Sequence, residues 1–161
     1  PVLYNKFISI GNMADVDFVD LLSYFEKDGS TRVIGIYMEG CSNGKELQAV
    51  LRRVSARKPV VVLKVGRSEK GGAAANSHTG SMAGADAVYD AMFKQTGVIR
   101  VDTIDELIDT MQAFDRLPVP AGGRLFLYSQ AGGPGIYCTD AISACKELKT
   151  PLVSEQTKQR L

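Results

Sequence analysis

The one histidine of this chain, His78, stands in a run of small residues that starts at Lys64 and reads Lys-Val-Gly-Arg-Ser-Glu-Lys-Gly-Gly-Ala-Ala-Ala-Asn-Ser-His-Thr-Gly-Ser-Met-Ala-Gly. Imidazole is the side chain whose unperturbed pKa, about 6.5, lets it act as base, nucleophile or proton carrier near neutral pH. A stretch of about 20 residues with so little to pack is, in a compact domain, either functional or disordered. Its Gly/Ala composition suggests a ring that has to travel or be approached closely. A lone histidine in such a loop is by default a solvated surface residue. What sets His78 apart is its company.

In an open α/β sheet, ligands bind outside the carboxyl ends of the strands. The residues that fall there are Gly11-Asn12, then Glu39-Gly40, then Lys64, Gly66 and Arg67 leading into the His78 loop, and finally Gln130-Ala-Gly-Gly-Pro-Gly135. One rim would thus carry a carboxylate, two cations, a histidine and a nest of backbone amides. Singly each element is weak: Glu39 also reads as a surface acid, and Lys64, Arg67 and Lys70 as ordinary solvated cations. As a functional set, the cations would attract a phosphate. Gly132, Gly133 and Gly135 would let backbone N–H groups approach an anion at a helix N-terminus. A tight βα turn without a ligand explains the glycines equally well.

The elements that must position these residues follow from the apolar pattern. Lys6-Phe-Ile-Ser-Ile10 reads as a first strand ending in a Gly11-Asn12 turn, and Asp15 precedes a helical pattern at Val16, Val19, Leu22 and Phe25 that stops at Asp28-Gly29. Arg32-Val-Ile-Gly-Ile-Tyr-Met38 is the next strand. Leu47, Val50, Leu51 and Val54 form the stripe of a helix laid on a sheet. Pro59-Val-Val-Val-Leu63 is a β-branched run suited to a strand buried on both faces. Residues 83–95 are helix-compatible, Val98-Ile-Arg-Val101 is a strand, and Thr103 with Glu106 makes a capping box ahead of Leu107, Ile108, Met111 and Phe114. The Met82/Gly84/Met92 region reads as core packing. This alternation predicts right-handed βαβ units and a parallel sheet covered on both faces. Leu117-Pro-Val-Pro-Ala-Gly-Gly123 is the best boundary. After it come a strand at Arg124-Leu-Phe-Leu-Tyr128, a glycine loop over 129–135, a helix over 136–148 and a polar tail from Ser154.

Composition narrows the function classes. At 161 residues the chain can form one domain, or one domain plus part of another, with the 45% apolar and 23% charged content of an ordinary globular protein. A net charge of +1, with no basic block, argues against nucleic acid or a membrane surface as partner. No apolar run reaches the roughly 18 residues that span a bilayer, and no signal peptide opens the chain. Cys41, Cys138 and Cys145 carry no metal-ligand or redox spacing and read as reduced thiols of a cytoplasmic protein, with no metal site expected.

Five separated blocks, in order, then carry a resemblance. Ser9-Ile-Gly-Asn-Met-Ala-Asp-Val-Asp17, Tyr37-Met-Glu-Gly40, Lys58-Pro-Val-Val-Val-Leu-Lys-Val-Gly-Arg-Ser68, Ala75-Asn-Ser-His-Thr-Gly80 and Tyr128-Ser-Gln-Ala-Gly-Gly-Pro-Gly135 resemble the NDP-forming acyl-CoA synthetases. That family includes ADP-forming acetyl-CoA synthetase and is related to the succinyl-CoA synthetase alpha subunit. The resemblance implies a flavodoxin-like parallel sheet with helices on both faces over residues 1–116, a linker over 117–123, and the first βα unit of a following ligase-CoA domain over 124–161. It implies that His78 is phosphorylated from an enzyme-bound acyl phosphate, that a swinging loop carries the phosphoryl group to a distant nucleotide site, and that Glu39 holds and orients the imidazole. Ser77, Thr79 and Gly80 would line the phosphate beside the ring, together with Gly132, Gly133 and Gly135. The chemistry agrees: a carboxylate on one ring nitrogen fixes the tautomer and makes the other nitrogen the better nucleophile.

The implied reaction interconverts acyl-CoA, ADP and phosphate with acid, CoA and ATP. CoA, ADP/ATP and Mg2+ would be bound mostly by domains beyond this chain. The family normally places a strand, a Ser-Gln-Ser-Gly phosphate turn and a helix ahead of Ser-Ile-Gly-Asn; these, the CoA-binding domain and the ATP-grasp domain are not found in the sequence. The expectation is therefore a central fragment of a homo- or hetero-oligomeric synthetase, inactive alone and completed by CoA-binding and ATP-grasp domains or subunits. Ser129-Gln130 replaces the family's usual Thr-Asn. Two other classes stay open: the synthetase-like regulatory region of a protein lysine acetyltransferase, where the histidine is often lost, so that the intact Ser77-His-Thr-Gly80 argues for the synthetase, and a non-catalytic CoA- or nucleotide-sensing module.

Overall fold

The computed structural model describes residues 4–68, 71, 86–118 and 120–160. Ser77, His78, Thr79 and Gly80, together with Lys70, Met82 and Gly84, lie outside the described residues. The chain divides into two compact units, Pro1–Leu117 and Pro118–Leu161.

In the first unit the elements run α1 (Phe18–Lys27), β1 (Ile34–Met38), α2 (Gly44–Ser55), β2 (Val60–Lys64), α3 (Asp86–Thr96), β3 (Ile99–Val101) and α4 (Ile104–Arg116). The three strands form one parallel sheet in the order β1-β2-β3, with Ile34 opposite Val60 and Val61 opposite Ile99. Two successive crossovers in the same direction put α2 and α3 on one face. There Leu22, Leu47, Val50, Leu51, Val54, Tyr89 and Phe93 pack on Ile34, Ile36, Met38, Val60 and Val62. On the opposite face α4 covers Val61, Leu63 and Val101 with Leu107 and Met111. Because both faces are covered, all five residues of β2 are buried, which is why the sequence there is an unbroken apolar run up to Lys64. Gly35 permits the close approach of α4: a Cβ built on it would meet Met111 Sδ at 2.0 Å.

Local signals set the boundaries. α1 is capped by Asp17, not by the earlier Asp15: its carboxylate accepts from Val19 and Asp20 N–H, and Asp20 returns the bond to the Asp17 N–H. Val16 is consequently outside the helix and 42% exposed. Asn43 caps α2. Thr103 accepts from Glu106 N–H as expected, but Glu106 Oε2 accepts from Asp102 N–H, one residue outside the box.

Residues 6–10 are not a strand. Phe7 is 84% exposed, and β1 is paired among the described residues only with β2. A short apolar run becomes a strand only where a neighbour takes up its backbone bonds. This one is pinned instead by Lys6 Nζ on Asp28 Oδ2 at 2.6 Å and Asn5 Nδ2 on Ser30 Oγ at 2.8 Å. The turn behind it does form, with Gly11 at φ +53°.

The second unit contains α5 (Gly132–Ala144) and α6 (Glu155–Lys158). The expected strand at 124–128 is reduced to an isolated parallel bridge between Arg124 and Lys149, again for lack of a second strand among the described residues. The helix expected from 136 begins four residues earlier, so Gly132, Gly133 and Gly135 lie in its first turn and not in a loop.

Candidate functional site

The site is the rim at the carboxyl ends of β1, β2 and β3. Met38 pairs with Lys64 across the β1–β2 ladder, so Glu39 leaves the sheet directly beside the end of β2. The Glu39 carboxylate is half-buried, and its Oε2 is buried with no hydrogen-bond partner among the described residues. An unpartnered buried acceptor costs about 1–3 kcal/mol, so this oxygen contributes nothing to stability as it stands.

Lys64 is 1% exposed. Its Nζ donates to the Val65 carbonyl at 2.5 Å and lies 4.7 Å from the centroid of the Tyr89 ring. Burial pushes the lysine below its usual range, against the pull of Asp86 and with smaller effects from Arg100, Cys41 and Glu39. Tyr89 Oη sits 3.5 Å from Cys41 Sγ, and burial first, then this contact, pushes its phenol upward.

Arg67 begins the segment that leads toward His78, and its guanidinium is engaged by two carboxylates: Asp102 at the end of β3, and Asp86 Oδ2 at 3.6 Å where α3 begins. The Asp102 hydrogen bond raises its pKa further. Arg100, in β3, completes the cluster with Nη2 on Asp86 Oδ1 at 2.5 Å and Nη1 3.7 Å from Asp90 Oδ1, while its buried Nε has no partner among the described residues. The ends of the 69–85 stretch are thus bridged by one ion-pair network, Arg67–Asp86–Arg100. Sequence reasoning missed Arg100, Asp86 and Asp102; the available signal was one arginine inside the otherwise apolar run Val98-Ile-Arg-Val101.

The structure therefore gathers Glu39, Lys64 and Arg67 at one rim. It assigns Lys64 to the interior, against the solvated cation that its type suggests, and leaves Arg67 exposed but paired with carboxylates. Gly132, Gly133 and Gly135 belong to the second unit. The N-cap Ala131 makes no side-chain bond to the helix, and a Cβ on Gly132 or Gly133 would meet nothing within 4 Å. The Gly132 and Gly133 N–H groups are of the kind a helix N-terminus offers to an anion, whereas the Gly135 N–H already donates to the Ala131 carbonyl at 3.3 Å. Among the described residues no group of three or more His, Cys, Asp or Glu is placed to hold a metal ion.

Residues 2–114 match the family model of the succinyl-CoA ligase like flavodoxin domain. The chain is 49% identical over 134 residues to the alpha subunit of ADP-forming acetate–CoA ligase I of Pyrococcus furiosus, covering 83% of this chain and 29% of that protein. It is 43% identical over 158 residues to the alpha subunit of the Pyrococcus furiosus ligase II, covering 98% of this chain and 34% of that protein. Among solved structures, the apo form of acetyl-coenzyme A synthetase 1 from Candidatus Korarchaeum cryptofilum superposes with a TM-score of 0.85 at 39% identity, over 94% of this chain and 33% of the other. The same synthetase in complex with phosphate and ADP gives a TM-score of 0.82 at 42% identity, over 89% of this chain and 32% of the other. The chain thus spans about a third of the length of the relatives it matches.

Proposed function

From the premise that this chain belongs to the family of the succinyl-CoA ligase like flavodoxin domain, we propose that it is the phosphoryl-relay part of an NDP-forming acyl-CoA synthetase. In that reaction phosphate displaces CoA from an acyl-CoA to give an acyl phosphate. The His78 ring then takes the phosphoryl group, releasing the acid, and ADP takes it from the ring to give ATP. Glu39 accepts a hydrogen bond from the second ring nitrogen and offsets the positive charge of the phosphorylated imidazole. The observation that carries this reading is the Glu39 carboxylate, whose Oε2 is buried at the strand end without a partner. Phosphoryl transfer asks mainly for positioning and charge compensation, which a preset carboxylate beside an imidazole supplies.

Residues 124–161 are assigned to the start of a ligase-CoA domain, whose Gly132 and Gly133 amides would hold an anion at the start of α5, and Ser77, Thr79 and Gly80 are assigned separately to the phosphate beside His78. CoA, ADP/ATP and Mg2+ are assigned to CoA-binding and ATP-grasp domains or subunits, in a cytoplasmic oligomer. Among the described residues no helix is long and apolar enough to cross a membrane.

The test is phosphoenzyme formation in the full-length protein. Wild type given γ-labelled ATP should take up acid-labile, base-stable label. His78→Asn should take up none, with stability within roughly ±0.5 kcal/mol of wild type. Glu39→Gln keeps the shape but loses the charge, and should slow labelling by about 10²-fold or more. Undiminished synthetase turnover in His78→Asn would overturn the reading.

A further inference from the structure

Lys64 is among the largest fully buried side chains of the molecule. Lysine is almost never fully buried unless it is paired. Yet among the described residues its ammonium makes no ion pair. It donates one hydrogen bond, to the carbonyl of the next residue, and rests on the face of Tyr89. Across the ladder, Glu39 Oε2 is buried and, among the described residues, unpartnered. Two groups of opposite charge thus sit at adjacent strand ends, each with hydrogen-bonding capacity left over.

This arrangement stabilises a fold poorly. An apolar side chain of the same shape in place of a buried lysine would be neutral or favourable. It does suit a place where negative charge arrives, because a fixed charge in a dry setting needs no reorganisation when the reaction occurs. We propose that Lys64 is a positioning residue for phosphoryl transfer at this rim: held by the Val65 carbonyl and the Tyr89 ring, its ammonium acts through Glu39 and supplies the positive charge against which the arriving phosphoryl group is placed. The inference rests on the reading above of Glu39 as the partner of His78.

Several groups face this ammonium. Glu39 and Cys41 follow β1, Asp86 and Tyr89 come from α3, and Arg100 comes from β3. Burial outweighs the rest and brings the ammonium below the usual lysine range. The charge is lost as pH rises through that lowered value, so phosphoryl transfer should fall on its alkaline side earlier than an ordinary lysine would cause.

The experiment measures label uptake from γ-labelled ATP across pH, and thermal melting, for full-length wild type and Lys64→Met. The expected result is a loss of roughly 10–100-fold in the labelling rate, as for residues that orient a reacting group from behind. The alkaline limb should disappear, and the melting temperature should be equal or higher. Unchanged labelling in Lys64→Met would overturn the proposal. So would a loss of labelling matched by a loss of melting temperature, which is the mark of a packing role. If Lys64→Met does not fold, the wild-type profile decides: a rate flat to the ordinary lysine range excludes Lys64. Wild type that takes up no label at all fails the phosphohistidine reading itself, and this inference falls with it.

Discussion

Helices α2 and α5 are nearly equal in length and each follows a loop of polar or small residues, but they end in different circumstances. α2 concentrates Leu47, Val50, Leu51 and Val54 on one stripe and buries all four against the sheet. The apolar residues of α5 are spread around the helix; Ile142 alone is buried, while Ile136 and Tyr137 are 67% and 78% exposed. The difference lies in what each helix has to pack on. α2 packs on the paired strands β1 and β2, whereas the second unit offers, among the described residues, a single bridge at Arg124 and Lys149. Local βα sequence is thus enough to make a helix, and tertiary burial decides whether that helix stabilises anything.

The largest expected effect separates the two units outright. Phe93→Ala empties a site 1% exposed and should cost about 3–5 kcal/mol in denaturant unfolding. Ile142→Ala, at 8% exposure in the sparse second unit, should cost below about 2 kcal/mol, the lower edge for such truncations in packed cores. Equal costs would show that the second unit owns a core as dense as the first.

Two glycines sharpen the contrast at smaller scale. A Cβ on Gly35 would meet the thioether of Met111, and one on Gly123 would meet the Glu147 carbonyl oxygen, both at 2.0 Å. A thioether can turn aside, so Gly35→Ala should cost only about 1 kcal/mol. A backbone carbonyl cannot. Gly123→Ala should break the bridge, seen as faster amide exchange at Leu125 and Lys149, whose N–H groups donate to Lys149 O and Gly123 O. Even in wild type those two amides should exchange faster than any in β2; slower exchange there would erase the distinction.

The smallest effect is at the surface of the first unit. Lys6 chiefly, then Thr31 and Ser30, hold the Asp28 carboxyl well below the usual carboxylate range. A depressed folded value gives stability that is full above the unfolded pKa, about 3.9, and lost as pH falls through the folded one. Asp28→Asn should therefore be slightly less stable than wild type at neutral pH, with the gap closing in strong acid and shrinking in high salt.

Much of this was legible in the chain. The Val-Val-Val-Leu run and the Leu47 to Val54 stripe describe β2 and α2 because period and burial coincide there. Glu39, Lys64 and Arg67 were placed at one rim because strand ends are easy to find in a parallel sheet. The strands expected at 6–10 and 124–128 did not form, since an apolar run states what could pair and not whether a neighbour exists. The Arg67–Asp86–Arg100 network was illegible for another reason: ion pairs between distant residues have no period. Nor does a lysine at a strand end announce that it will be interior, because its type defaults to solvent.

The short β3 has one more consequence. It meets β2 at three paired positions, while β1 meets β2 at five, so β3 is the edge with least to hold it. Asp102 directly follows that strand and Arg100 lies within it. Fraying of this edge would release the carboxylate from Arg67 and the guanidinium from Asp86 in one opening event. The charge balance of the rim is in this way tied to a sub-global unfolding equilibrium, and substitutions that loosen β3 without touching a charge would retune the rim from a distance.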